Sequence, residues 1–350
     1  MKKSTFIMIS YFSYFLLSLP FTDTLFGQDV FVSAFKGECS ITYNPNNSRY
    51  LVGGSNDYTN FTNSPPITRN AAHSSLDGGQ TWSTEIIALP PNYTNSADPS
   101  VDYDSNGNVY YCFLALNRDE NEKAIEGGIF VYKSTNNGQP GSWFNPVTSN
   151  NGAIESHLGS TTLHDDKPWM IVDRTRTPNR IYVAWTHRIK GNSGNDRGQL
   201  NFAYSADGGN TFTTPKTIDD APINFQDPLE TIFAHGVSMT MDPSGDLFVV
   251  YLQDTLKSNL PQVDRSTIIA MKSSNGGVSF LTLPPVKSGL TSLAGSGSGV
   301  IRKQSFPSVA VSPTTRLCAC SVGKQRQRTP WKSRYDSFYS FNRFRSDVDK

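Results

Sequence analysis

One short stretch recurs along the chain and limits what it can fold into. Ser75-Leu76-Asp77-Gly78-Gly79-Gln80-Thr81-Trp82 returns as Ser205-Ala206-Asp207-Gly208-Gly209-Asn210-Thr211-Phe212. A weaker copy runs from Ser273 to Phe280, and a degenerate one opens at Ser134 with Trp143 in the place of the aromatic. In such a pattern the Asp or Asn side chain accepts backbone N–H bonds across a tight turn. The glycines supply positive φ, and the closing aromatic buries a large apolar surface. Alternating or apolar runs, such as Ile129–Tyr132, Leu200–Tyr204 and Ile268–Met271, precede the later copies. Each copy therefore reads as a hairpin turn between two strands.

The opening serines are 59, 71 and 68 residues apart. A second motif, an alternating strand ending in a polar turn, keeps the same beat. It begins at Ser40, Ser100, Trp169, Ser238 and Ser308, with steps of 60, 69, 69 and 70 residues. Fixed self-similarity of this kind marks a repeat architecture. One repeat is two strands, a long loop, then two strands joined by the turn. A four-stranded unit of that length predicts an all-β chain folded as a β-propeller.

These residues carry a resemblance. S-x-D-G-G-x-T-W matches the Asp-box, or bacterial neuraminidase repeat, and over roughly residues 30–315 the chain resembles the sialidase-like superfamily of Asp-box propellers. The resemblance implies blades of four strands, six of them in sialidases. This chain carries the pattern for about four blades and part of a fifth. It also implies a relationship to exo-α-sialidase-type glycoside hydrolases; export to the medium or the cell surface is expected from the N-terminal segment. In that family the boxes are structural staples, so Ser75, Asp77, Gly79 and Trp82, and Ser205, Asp207, Gly209 and Phe212, are expected to hold turns rather than to catalyse.

The ends differ from the middle. Met1-Lys2-Lys3 followed by the uncharged run Phe6–Leu19 reads as a secretory signal peptide over residues 1–27, with the mature chain starting near Gln28. Residues 28–322 read as the propeller. Residues 323–350 read as a basic irregular tail, either truncated or frame-shifted or else a segment for an acidic partner; from Arg316 onward nine Lys or Arg face three Asp. The formal net charge of +1 argues against nucleic acid as a partner. The one apolar run is short for a membrane span, so no stable span is expected after cleavage. The four cysteines show no metal spacing, and neither metal nor cofactor is expected.

Chemistry is expected on the face that carries the long loops. The polar residues just before each innermost strand, Glu38, Asp98, Asp166 and His235, are expected to ring a channel mouth. They would form an acid cluster, a cation site, or simply a wet rim. The catalytic candidates are Asp98, Asp166 and His235; the substrate-binding candidates are Arg118, Arg188 and Trp169. Of the adjacent pair Asp165 and Asp166, only one can face the axis in a strand. A sialidase, as the resemblance implies, needs three arginines on the substrate carboxylate, an acid and a Tyr–Glu nucleophile. The early arginine motif is replaced here by Phe35-Lys36-Gly37-Glu38, and the late blades that carry the Tyr have no counterpart in the chain. Three readings follow: a glycoside hydrolase lacking a full catalytic set, a non-catalytic propeller that binds glycans or proteins (glycoproteins among them) at the cell surface, and a cell-surface structural repeat protein.

Overall fold

The computed structural model describes residues 32–321 apart from 34–35, 61–62, 64–65, 149–151, 191–196, 220–229, 258–262, 291–305 and 313–317. The expected signal peptide and basic tail lie outside the described residues. Among the described residues there is no α-helix.

The first sheet is β1 (Lys36–Asn44), β2 (Asn47–Asp57), β3 (Arg69–Ser75) and β4 (Ser83–Ile86), paired antiparallel in chain order. The second repeats it with β5 (Asn95–Tyr103), β6 (Val109–Arg118), β7 (Ala124–Ser134) and β8 (Ala153–Ser156). Two further units follow. One is β9 (Leu163–Asp173), β10 (Arg180–Ile189), β11 (Arg197–Ser205) and β12 (Lys216–Thr217). The other is β13 (Glu230–Met241), β14 (Leu247–Lys257), β15 (Val263–Ser273), β16 (Leu281–Thr282) and β17 (Lys287–Leu290). A single parallel pair, Gly198 with Phe233, joins these two units into one sheet. A last hairpin is β18 (Ser308–Val311) with β19 (Cys318–Ser321).

The second strand of each unit explains the stacking. In β6, Val109, Tyr111, Phe113 and Ala115 enter the core against the first sheet. Alternate residues Tyr110, Cys112, Leu114 and Leu116 enter the core against the third unit. A strand covered on both faces reads as one continuous apolar run, which is what Val109–Leu116 is. β10 and β14 divide their side chains between two cores in the same way. The closing aromatics follow suit. Trp143, Phe212 and Phe280 each pack on the core that their unit shares with the preceding one.

The first strands lie side by side, pinned by the serines of the second motif. Ser40 Oγ accepts the Val101 N–H at 3.1 Å, Ser100 Oγ that of Met170 at 2.9 Å, and Ser238 Oγ that of Val309 at 3.3 Å. At the end of each strand, or one residue beyond it, stand Asn44, Asp104, Asp173 and Asp242, whose side-chain oxygens each accept a backbone N–H two residues on at 2.9 Å. The 60- and 69-residue beat is therefore two side-chain devices repeated.

The recurrent turns are built from their own residues. Ser205 Oγ donates to Asp207 Oδ1 (2.8 Å) and accepts the Gly209 N–H (2.9 Å). The Asp207 carboxylate accepts the N–H (2.9 Å) and hydroxyl (2.6 Å) of Thr211. The Ser75 turn repeats these four bonds, and the Ser273 turn substitutes Asn275 for the acid. Gly209, at φ +90°, occupies backbone that other residues rarely adopt. Ser205→Ala removes the acceptor of the Gly209 N–H and a donor to Asp207 at a buried position. It is expected to cost about 1–3 kcal/mol of stability, read as a lower urea midpoint at unchanged slope. A change of no more than a few tenths of a kcal/mol would mean the turn does not depend on its serine.

Candidate functional site

Each first strand is interrupted near its start by a bulge, where one or more extra residues break the register with the second strand. The breaks fall between Gly37 and Ser40, Ala97 and Ser100, and His235 and Ser238, and opposite Ala184–Thr186 in the third unit. At the same repeat place the backbone turns to positive φ: Glu38 (51°), Asp98 (56°), Lys167 (50°) and Gly236 (64°). Bulges re-aim side chains. Here they bring three charged groups together.

Lys167 Nζ lies 2.7 Å from Glu38 Oε2 and 2.9 Å from Asp98 Oδ1. Asn56, buried at the end of β2, holds the group from beneath. Its amide N–H₂ donates to Glu38 Oε2 (2.8 Å) and to the Tyr58 hydroxyl (3.1 Å), and its oxygen accepts the Asp98 N–H (2.7 Å). Asp166 joins from β9, paired with Arg188 Nη1 at 3.2 Å, and its charge is felt by Asp98 and Lys167. The Arg188 guanidinium also lies over the Phe233 ring, 5.1 Å from its centroid.

The expected ring thus divides. Asp98 and Asp166 come together with Glu38. His235 instead places Nε2 2.9 Å from Asp254 Oδ2, between the rings of Phe233 and Phe306. The repeat partners of Glu38 and Asp98 are Lys167 and Gly236, one residue beyond Asp166 and His235. Arg118 donates to the Glu122 carbonyl at 2.9 Å. Trp169, in register with Ala184, is 39% exposed. Asp165 points away from Asp166 and is fully buried against His157 and His187. Sequence reading missed Lys167 and Asn56. The offset of two residues from Ser40, Ser100 and Trp169 would have found the lysine.

The electrostatics push the carboxyls apart. Glu38 is raised to about 7, first by loss of solvent and then by its hydrogen bond and repulsion with Asp98. Burial works to raise Asp98 too, but the Glu38 hydrogen bond and the Lys167 ammonium outweigh it and hold Asp98 below the usual carboxylate range. Asp166 is raised by burial and by Asp98. A raised acid favours its protonated form in the folded chain. Glu38 therefore contributes stability below about 4.5 that is lost as pH rises through about 7. Glu38→Gln, which mimics the protonated acid, is expected to flatten the stability-versus-pH curve between those values. Melting curves at half-unit pH steps that leave the slope unchanged would remove Glu38 as its source.

A lysine already supplies the cation between Glu38 and Asp98. Among the described residues, a separate set could hold a metal ion: Glu155, His157, Asp165 and His187.

The stacked antiparallel sheets, with no α-helix among the described residues, define an all-β class. No protein-family model matches the chain, and no curated protein matches it. Solved structures do. A Dyadobacter fermentans protein of unknown function is 16% identical with a TM-score of 0.50, over 84% of this chain and 76% of that one. The Penicillium chrysogenum α-L-arabinanase complexed with arabinobiose is 14% identical with a TM-score of 0.55, over 83% and 76%. A Trypanosoma rangeli sialidase is also similar, 14% identical with a TM-score of 0.46, over 82% of this chain and 43% of that one. At these identities the likeness is one of fold, and the fold is of the β-propeller kind.

Proposed function

We propose that the chain is an exported, glycan-binding propeller related to glycoside hydrolases but lacking a complete catalytic set, with four-stranded blades stapled by Asp-box turns. One observation carries this reading: the cations of the site are already engaged. Lys167 lies between Glu38 and Asp98, and Arg188 pairs with Asp166. Neither Lys167 nor Arg188 is free to grip a sialoside carboxylate, whereas neutral sugar hydroxyls would find carboxylate and amide acceptors. Tyr58 is a poor nucleophile, its hydroxyl pushed upward by burial and by Glu38 and Asp98. The raised Glu38 has the character of a general acid. Its hydrogen bond to Asp98, however, closes the gap of about 5–5.5 Å that a retaining pair keeps around the sugar.

The test pairs binding with turnover on purified protein. Titration with arabinobiose and other neutral oligosaccharides, beside 3′-sialyllactose, is expected to show weak binding of a neutral sugar that Asp166→Ala abolishes. A fluorogenic sialoside is expected to give little or no release. Robust sialoside turnover, lost in Asp166→Ala, would overturn the reading. Export is checked on secreted material, whose N-terminal residue is expected near Gln28.

A further inference from the structure

On the other side of β9 from Asp166, four side chains converge that the glycan reading does not use. Glu155 and His157 are two residues apart at the end of β8, so they share a face. Asp165 and His187 are directly opposed in the β9–β10 register, so they share another. The two faces meet. One ligand atom from each of the four lies within 4.8 Å of the others.

The finer geometry separates this from an ordinary ion pair. His157 Nε2 lies 3.2 Å from Asp165 Oδ2 and 3.8 Å from Glu155 Oε1. Ligand bonds of about 2.0–2.2 Å in a tetrahedron put neighbouring ligand atoms about 3.3–3.6 Å apart, between those two values. Asp165 is fully buried, yet neither its Oδ2 nor His157 Nε2 has a hydrogen-bond partner. The two atoms face each other at ion-pair distance but misaligned for a hydrogen bond, and a metal ion bound to both would satisfy them.

The supporting contacts fix the remaining atoms. Trp185 Nε1 (3.0 Å) and Asn201 Nδ2 (3.2 Å) both donate to Glu155 Oε2, leaving Oε1 facing the cluster. His187 Nδ1 lies 3.0 Å from Asp165 Oδ1. The His157 N–H donates to the Gly127 carbonyl at 3.2 Å, and a Cβ at Gly127 would sit 2.9 Å from the Asp165 nitrogen. Only glycine lets β7 pass so close. The Trp185, Asn201 and backbone contacts come from outside the four, as the contacts that orient metal ligands do.

We propose that Glu155, His157, Asp165 and His187 form a binding site for a zinc-class divalent metal that ties the second sheet to the third unit. Two imidazoles and two carboxylates suit zinc; calcium takes six to eight oxygens and magnesium an octahedral oxygen shell. All four places of the tetrahedron are filled by the chain, so the metal is structural rather than catalytic. The site stands independently of the glycan reading.

The full chain, stripped by chelator and dialysed at neutral pH, is titrated with Zn²⁺, Co²⁺ and Ca²⁺. One Zn²⁺ per chain is expected, with a rise in Tm of ~3 °C or more at saturating metal. Co²⁺ is expected to give the visible bands of a tetrahedral nitrogen–oxygen site without thiolate charge transfer. His157→Gln and His187→Gln are each expected to bind Zn²⁺ at least ~10-fold more weakly while keeping the wild-type far-UV CD spectrum. If either variant fails to fold, the wild-type Co²⁺ spectrum still decides the ligand set. Folded wild type that takes up no Zn²⁺, uptake undiminished in the double variant, a thiolate band, or Ca²⁺ bound as tightly as Zn²⁺ would each overturn the proposal.

Discussion

Trp185→Ala is expected to cost about 3–5 kcal/mol of folding stability, the largest effect of any single change considered. The indole is fully buried in the core between the second sheet and the third unit, among Leu114, Leu116, Ile129 and Val183. Alanine removes its apolar surface and leaves a cavity, because the strands on either side are fixed by their ladders. It also removes the N–H that donates to Glu155 Oε2. Trp185→Phe keeps most of the volume and loses the donor, so it should fall between. The measure is the urea midpoint at constant slope. A loss below about 1 kcal/mol for the alanine variant would mean that this core is not packed as described.

Lys167→Met comes next, at about 3 kcal/mol near pH 7. The methylene stem is retained, so packing changes little. What is lost is the ammonium that faces Glu38, Asp98 and Asp166. Burial alone would lower Lys167, but these carboxylates raise it, so its contribution persists below its usual titration range and across neutral pH. Without it the Asp98 carboxyl is buried beside two acids and must rise. The folded variant then binds more protons than the unfolded chain, and stability returns as pH falls. The expected signature is a deficit at pH 7 that shrinks toward pH 4. A deficit constant across that range would point to lost packing instead.

The strand order, the turns and the stacking were legible in the sequence because each repeats a local device. Ser205, Asp207 and Gly209 bond only within their own turn, so the pattern alone carries the geometry. The continuous run Val109–Leu116 likewise announces a strand covered on both sides. The candidate site was legible in part. Asp98 and Asp166 do meet, but the bulge decides which residue of each strand is re-aimed. That decision rests on backbone angles at Lys167 and Gly236 that polarity does not signal. Choosing the polar residue selected Asp166 and His235, one place early. The Glu155–His157–Asp165–His187 set was beyond reach for another reason. Its halves lie on different sheets, and only the packing of β8 on β9 and β10 unites them.

The left-handed backbone at Glu38, Asp98 and Lys167 has an evolutionary corollary. A side chain there costs roughly 1–2 kcal/mol that glycine avoids, and β13, the first strand of the fourth unit, avoids it with Gly236. Loss of Lys167 alone costs more than this, so under selection for folding alone glycine is favoured only where the three charges are replaced together. A library randomised at 38, 98 and 167 and sorted only for protease resistance is expected to enrich glycine. The same library sorted for ligand capture is expected to keep the charges. That outcome would mark the three positions as places where scaffold stability is exchanged for binding.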